Sequence, residues 1–208
     1  MAAEITNAEK IRRLPWNIAL SATNNIFATL TFFGSAFVLF LNKLGASNSD
    51  IGFLLSLLPF SGIVALFIAP TVARFGYKRT WLIFFGTRKV VAVGLLLVPA
   101  VMGRFGTGAA LILVAVLMAA FALCRAISET ALYPWSQEYI PNSVRGKHSA
   151  INDMVARVTG ILAIVVAGYV LGVSTGMDGF MILFAIGIVF GFISVWSSSH
   201  LPVLRCEY

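Results

Sequence analysis

The sequence predicts an all-α integral membrane protein, a single bundle of six transmembrane helices over residues 1–208. Three observations support this fold class: 59% of the residues are hydrophobic, only 11% are charged, and the mean hydropathy is +0.92. Soluble domains contain about 25% charged residues, so eight acidic and fifteen Lys or Arg side chains cannot coat a globule of this size in water. The composition therefore excludes a soluble enzyme, a nucleic-acid-binding domain and a disordered chain.

Six apolar segments are long enough to span a bilayer, since a spanning helix needs about 20 mostly apolar residues. They are residues 16–41, 51–72, 81–101, 109–133, 151–172 and 180–198. Turn-forming or charged residues separate them in order, at 42–50, 74–80, 103–108, 134–149 and 174–179. Membrane β-strands would be about ten residues long with strict alternation, and the chain does not show that pattern.

The distribution of cations predicts the orientation of the bundle. With the N-terminus inside, nine cations fall in cytoplasmic segments and two, Lys43 and Arg104, on the opposite side. The nine are Lys10, Arg12, Arg13, Arg74, Lys78, Arg79, Arg145, Lys147 and Arg205. Cytoplasmic loops carry an excess of Lys and Arg, so we expect a multi-pass protein of the cytoplasmic (inner) cell membrane with both termini cytoplasmic. The net charge of +7 then reflects orientation and contact with membrane lipid, and no nucleic-acid partner is expected.

Two of the predicted cytoplasmic loops contain patterned residues. Residues 73–79 read Ala-Arg-Phe-Gly-Tyr-Lys-Arg, and residues 138–146 contain the pattern Glu-x-x-Pro-x-x-x-Arg-Gly. A tight turn between helices needs a glycine that can adopt positive φ, which Gly76 supplies. Glu138 and Arg145 can pair with each other or with the other loop and clamp the helices on the inner side. The first loop also fits a generic basic loop of any membrane protein.

These loops resemble those of the major facilitator superfamily of secondary transporters. The positions that match its loop motifs are Glu138, Pro141, Arg145 and Gly146 after the fourth helix, and Arg74, Gly76 and Lys78 after the second. The positions that depart are Ala69, Ala73 and Tyr77, where the motif has glycine, aspartate and arginine. Arg125 also resembles the arginine of the fourth-helix motif, although Glu129 stands where that motif has glycine.

The resemblance covers this whole chain but only the N-terminal half of a typical member, which has twelve helices in two similar halves. It implies a half bundle of 3+3 helices in which the first and fourth helices line a central cavity. The second half would be a second copy or a separate C-terminal-half chain. The ion pairs of a cytoplasmic gate would involve Arg74, Lys78, Arg79, Glu138 and Arg145. No cofactor is implied, and a coupling ion would be H⁺ or Na⁺.

Polar side chains inside the predicted helices are the candidate cavity residues, because such groups are costly in a bilayer. They are Asn17, Ser21, Asn24, Asn25, Arg125, Glu129, Tyr133 and Arg157. Those on the first helix share one broad face, which either lines a cavity or forms interhelical hydrogen bonds. Arg125 and Glu129 are four residues apart and can pair on one helix face. The pair is either a substrate-facing arginine with its counter-charge or a structural buried ion pair.

Other intramembrane features favour structural interpretations. Arg88 and Lys89 are adjacent and point about 100° apart, so one can face protein while the other extends to lipid headgroups. Asp153 and Arg157 predict an ion pair near the interface, although Arg157 could still face the cavity. The fifth helix carries a stripe of small residues that could face a second copy. The stripe comprises Ala156, Gly160, Ala163 and Ala167.

The sequence thus predicts a half-size secondary active transporter of a small polar or anionic solute, working by alternating access as a homodimer or with a second half. Arg125 and Arg157 outnumber Glu129 among the cavity candidates, which favours an anionic or polyhydroxyl solute. The alternative is a non-transporting membrane subunit or a truncated remnant of such a transporter, because Ala69, Ala73 and Glu129 depart from the family's motifs. Phosphate-binding, zinc and nucleophile motifs are missing, so no enzyme activity, catalytic residue or metal is expected.

Overall fold

The computed structural model describes residues 7–201, and every regular element among them is helical. Arg205, one of the predicted cytoplasmic cations, lies outside the described residues. The helices are α1 (Asn7–Leu30), α2 (Ser35–Lys43), α3 (Asn48–Phe60), α4 (Val64–Phe75), α5 (Tyr77–Val93), α6 (Val98–Tyr139), α7 (Arg145–Val173) and α8 (Asp178–Ser199). Short 3-10 turns join α3 to α4 and α5 to α6. The all-α class is confirmed.

Five helical stretches in this part of the chain are long and apolar enough to cross a membrane. They are Glu9–Lys43, Asn48–Phe75, Tyr77–Tyr139, Arg145–Val173 and Asp178–Ser199. Their length and composition indicate a membrane protein. The number differs from the six predicted segments because the third stretch, of 63 residues, contains both the third and the fourth of them.

This third stretch folds into an antiparallel hairpin. Gly106 has φ 84° and ψ 176°, a conformation that glycine adopts readily because it has no Cβ. The ring centroids of Trp81 and Trp135 lie 6.3 Å apart, and further along α5 the Arg88 guanidinium carbon lies 5.9 Å from the Phe121 ring centroid. Residue numbers rise along α5 from one contact to the next while those of the contacting residues in α6 fall. α5 and the part of α6 after Gly106, its second part, therefore run in opposite directions.

The first stretch is interrupted, which differs from the prediction of one continuous helix over residues 16–41. Between α1 and α2 the chain leaves helical geometry, and Gly34 is extended with φ −91° and ψ 166°. The Thr31 hydroxyl donates to the Phe27 carbonyl at 2.7 Å, and such local hydrogen bonds bend helices. A Cβ at position 34 would lie 1.8 Å from the Thr29 carbonyl oxygen. The interruption therefore requires glycine at this position.

Phenylalanine side chains fill the centre of the bundle. The ring centroids of Phe32 and Phe121 lie 4.3 Å apart, and those of Phe40 and Phe184 lie 5.0 Å apart. All four side chains are at most 1% exposed. In a bilayer, helices associate through such close van der Waals packing, since lipid is as apolar as the side chains themselves. These contacts join the α1–α2 segment to α6 and α8.

Four segments meet at one end of the bundle, which we call the basic end: the start of α1, the α4–α5 turn, the α6–α7 connection and the end of α8. Lys10 Nζ donates to the Glu138 carbonyl at 3.1 Å. Lys78 Nζ donates to the Ser199 carbonyl, also at 3.1 Å. The basic end carries eight of the nine cations predicted to be cytoplasmic.

Replacing Gly34 by alanine should destabilise the protein by about 1–3 kcal/mol or more, as expected for overpacking. The new methyl group would overlap the Thr29 carbonyl oxygen, which is backbone and cannot rotate away. The measurement is the melting temperature in detergent, monitored through the change in tryptophan fluorescence on heating. Gly62→Ala is the matched control, because nothing lies within 4 Å of a Cβ at that position. Equal melting temperatures for the two variants would contradict the proposed role of Gly34.

Candidate functional site

A polar cavity lies beside the last turns of α1, in the middle of the stretch Glu9–Lys43, and is completed by α5 and the part of α6 after Gly106. Its volume is about 270 Å³. The polar lining comes from one asparagine pair, two arginines, one threonine and one glutamate, and aromatic rings complete the wall. The lining residues are Asn24, Asn25, Phe27, Ala28, Thr29, Phe33, Arg88, Phe121, Arg125 and Glu129. The structure thus brings four of the predicted cavity residues together: Asn24, Asn25, Arg125 and Glu129.

Arg125 and Glu129 form an ion pair on one face of α6. Arg125 Nε donates to Glu129 Oε1 at 2.6 Å, as the spacing of four residues on a helix allows. The side chains retain 28% and 38% of their exposure, so the pair is open to the cavity. The Arg125 guanidinium also lies 4.9 Å from the Phe33 ring centroid, within the range of a cation–π contact.

A second cavity of about 490 Å³ adjoins the first and shares Phe33 and Arg125 with it. Its remaining lining comes from the α1–α2 break, from α2 and from α3. Those residues are Phe32, Gly34, Ser35, Val38, Leu55, Leu58 and Pro59. The lining comes from the start of α2 and the last turns of α3, so this cavity lies beside Arg125 at the level of the α1–α2 break.

Two buried cations on α5 share one acceptor on α1. Arg88 Nη2 donates to Asn24 Oδ1 at 3.1 Å, and Lys89 Nζ donates to the same oxygen at 2.7 Å. Arg88 is 5% exposed and Lys89 is fully buried. Lys89 Nζ lies 3.5 Å from the Phe27 ring centroid, and the Arg88 guanidinium carbon lies 4.4 Å from that of Phe85.

The sequence interpretation of Arg88 and Lys89 missed this arrangement. It allowed one of them to extend to lipid headgroups, whereas the structure buries both inside the protein. The reason is that α5 packs between α6 and α8, a long-range arrangement that the local sequence does not contain. The sequence feature that could have indicated this burial is the position of two adjacent cations deep inside an apolar segment.

Asn25 connects the cavity to α7. Its Nδ2 donates to the Ala156 carbonyl, and a Cβ at Gly160 would lie 2.7 Å from that nitrogen. Ala163 and Ala167 are also buried, in one cluster with Leu30 of α1. The small-residue stripe therefore packs inside this chain, and the expectation that it faces a second copy is corrected.

The other predicted cavity residues lie elsewhere. Asn17 is buried near the basic end, where its Nδ2 donates to the Tyr139 hydroxyl at 2.6 Å and its Oδ1 lies 2.9 Å from His148 Nε2. Ser21 is half-buried, outside the cavity lining. Tyr133 is 70% exposed. Arg157 is exposed and, among residues 9–201, forms no ion pair with Asp153.

The predicted gate residues lie at the basic end, where backbone carbonyls hold two of them. Arg145 Nη2 donates to the carbonyls of Gln137 at 3.0 Å and Ile140 at 3.2 Å, so it caps the end of α6. Lys78 bonds to the end of α8, as described above. Arg74 and Arg79 are exposed. The gating role of these residues and of Glu138 stays a prediction.

The described residues contain no group of three or more His, Cys, Asp and Glu side chains placed to hold a metal ion. Comparisons with protein-family models, with curated proteins and with solved structures find no match to this chain. Guanidinium and amide groups donate hydrogen bonds, the glutamate balances charge, and the aromatic rings supply apolar contacts, an arrangement suited to binding a small polar solute.

Proposed function

We propose that this chain forms one six-helix half of a secondary transporter, which moves a small polar or anionic solute by alternating access. The observation that supports this most strongly is the cavity in the middle of the helices, where Arg125, Glu129 and Asn25 meet. Charged groups at this depth are costly and usually functional. A purely structural ion pair would be packed against neighbouring side chains, whereas this pair keeps about a third of its exposure.

The second cavity provides a route to this site. It connects at Phe33 and Arg125 and is lined by the interrupted first stretch. Discontinuous helices at the binding site recur among transporters, where non-helical backbone lines a cavity. A volume of about 270 Å³ at the site itself lies just below the usual range for ligand pockets, about 300–1,000 Å³, so the solute has few atoms.

We also propose that the α5–α6 hairpin crosses the membrane twice, which gives six crossings in a 3+3 arrangement with both termini cytoplasmic. Its two arms, residues 77–105 and 107–139, would be about 43 Å and 49 Å long at 1.5 Å per residue. Each exceeds the hydrocarbon thickness of about 30 Å. The concentration of cations at the basic end supports the orientation. The resemblance to the major facilitator superfamily supports a second half from another copy or another chain.

Cysteine labelling tests the two crossings and the orientation. In a chain with Cys124 and Cys206 replaced by serine, a membrane-impermeant thiol reagent added to intact cells should label Thr107→Cys. Ser143→Cys should be labelled only after the membrane is permeabilised. Both positions are exposed. Thr107 is the first residue of the second arm, and Ser143 lies just beyond the other end of that arm. Labelling of both from the outside would contradict the second crossing, and the reversed pattern would contradict the orientation.

Arg125 should be essential for uptake and dispensable for insertion. Radiolabelled phosphate, succinate or glucose is added outside proteoliposomes that contain the wild-type chain, and uptake of each probe is measured. Uptake of the transported probe should fall about tenfold to a hundredfold with Arg125→Gln, as expected for the loss of one charged hydrogen-bonding group. Arg104→Gln is the matched control, because Arg104 is exposed near the hairpin bend. Undiminished uptake by Arg125→Gln would overturn the assignment of the site.

The second candidate function is a non-transporting membrane subunit or a truncated remnant of a transporter. Two observations favour it: Ala69 and Ala73 depart from the family motif, and Lys78 and Arg145 bind backbone carbonyls. Such contacts suit a fixed scaffold as well as a gate.

Accessibility of the cavity separates the two functions. Ala28 lines the cavity, whereas Val114 is fully buried in the core. In the same cysteine-free background, Ala28→Cys should react with a membrane-impermeant thiol reagent, because a transport cavity contains water. Val114→Cys should stay unreactive. Equal protection of both positions would support a packed scaffold and contradict a solute pathway.

A further inference from the structure

The interior of the bundle carries more positive than negative charge around the polar cavity. Arg88, Lys89 and Arg125 contribute three cationic groups, and Glu129 contributes one carboxylate. Arg125 already pairs with Glu129. Within residues 9–201, the hydrogen-bond acceptor that the two cations of α5 share is the neutral amide oxygen of Asn24, and Glu129 also interacts electrostatically with Arg88. A guanidinium is charged at every physiological pH, so at least one positive charge is uncompensated, and two are when Lys89 is protonated.

Arg88 is also incompletely hydrogen-bonded. The residue is buried, with an exposure of only 5%. Its Nε is buried without a hydrogen-bond partner, while its Nη2 shares the Asn24 oxygen with Lys89. Leaving a buried charged donor unsatisfied costs several kcal/mol in general. Arg88 also lines the polar cavity, so an anion bound there would compensate this buried positive charge.

Arg125 provides the second half of this arrangement. It contacts Glu129 through Nε, and its two terminal nitrogens make no hydrogen bond within residues 9–201. Arg88 and Arg125 both line the same cavity. Guanidinium groups bind carboxylate and phosphate oxygens through pairs of parallel hydrogen bonds, and two such groups around one small space favour an anion with several oxygens.

We propose that the solute of this cavity is a small dianion with oxygen acceptors, held between Arg88 and Arg125 and balanced by Lys89. The identification of the anion as a transported solute rests on the proposed function, although its binding does not. The cavity is near the middle of the helices, so a lipid headgroup would have to leave the interface to reach it. Phosphate and dicarboxylates share the required chemistry, and the experiment distinguishes them.

The test is the melting temperature of the full chain in detergent against increasing inorganic phosphate, succinate, acetate or chloride at constant ionic strength. A ligand that binds only the folded state raises the melting temperature with concentration. We expect a saturable rise with phosphate or succinate, and which of them acts identifies the chemistry. Acetate and chloride should have no specific effect, because neither offers separate oxygen acceptors to both Arg88 and Arg125.

Arg88→Gln should weaken binding of the active dianion about tenfold to a hundredfold, as expected for one charged hydrogen-bonding partner. Without ligand this variant should melt no lower than the wild type, because the substitution removes an uncompensated buried charge. Arg104→Gln is the matched control and should bind as the wild type does. If Arg88→Gln does not fold, Arg88→Lys keeps the charge but loses the planar pair of donors, and it should bind about tenfold more weakly.

The proposal is overturned if neither phosphate nor succinate stabilises the wild type, if acetate or chloride acts equally, or if Arg88→Gln and Arg88→Lys bind as the wild type does. These results are separable from a failure of the proposed function. Dianion binding without uptake into proteoliposomes would overturn transport and keep the site. Arg125-dependent uptake of glucose without stabilisation by either dianion would overturn the dianion site and keep transport.

Discussion

The hydrogen bonds to the Asn24 amide oxygen fix how the hairpin of α5 and α6 meets α1. An isolated cation in a low-dielectric interior costs several kcal/mol, and Arg88 and Lys89 both direct a donor to this one oxygen. The rings of Phe27 and Phe85 add cation–π contacts to Lys89. Because the acceptor lies on α1 and the cations lie on α5, these bonds set the depth and rotation of α1. The same rotation turns Asn25 towards α7 and the cavity.

The interruption between α1 and α2 joins a backbone constraint to the site. Backbone groups at membrane depth must be satisfied within the protein. Here the Phe33 N–H donates to the Ala28 carbonyl at 3.0 Å, so the chain leaves helical geometry without losing that bond. The result places the Phe33 ring beside the Arg125 guanidinium, where both side chains border two cavities. Gly34 makes this possible, since any larger residue would collide with the preceding turn.

Hydropathy predicts the helices well because each helix satisfies its own backbone, and a period of four residues predicts the Arg125–Glu129 pair that the structure contains. Helix rotation is harder to predict, since a polar residue on a spanning helix can face a cavity, a neighbour or another chain. Tyr133 and Arg157 shared a predicted role with Arg125, yet both are exposed. The burial of Arg88 and the packing of the small-residue stripe depend on contacts between distant segments. Local patterns contain no information about those contacts.

Two cations hold helix ends together at the basic end, and the larger cavity lies beside Arg125 in the bundle. Lys78 and Arg145 bind carbonyls at the ends of α8 and α6. The larger cavity borders Arg125. Under the proposed function, the alternate state must release both cations while Arg125 is covered. Because an anion neutralises the cluster at Arg88, it changes the electrostatic free energy of the hairpin relative to α1. Occupancy of the site shifts the equilibrium between the two states by as much as their affinities for the anion differ.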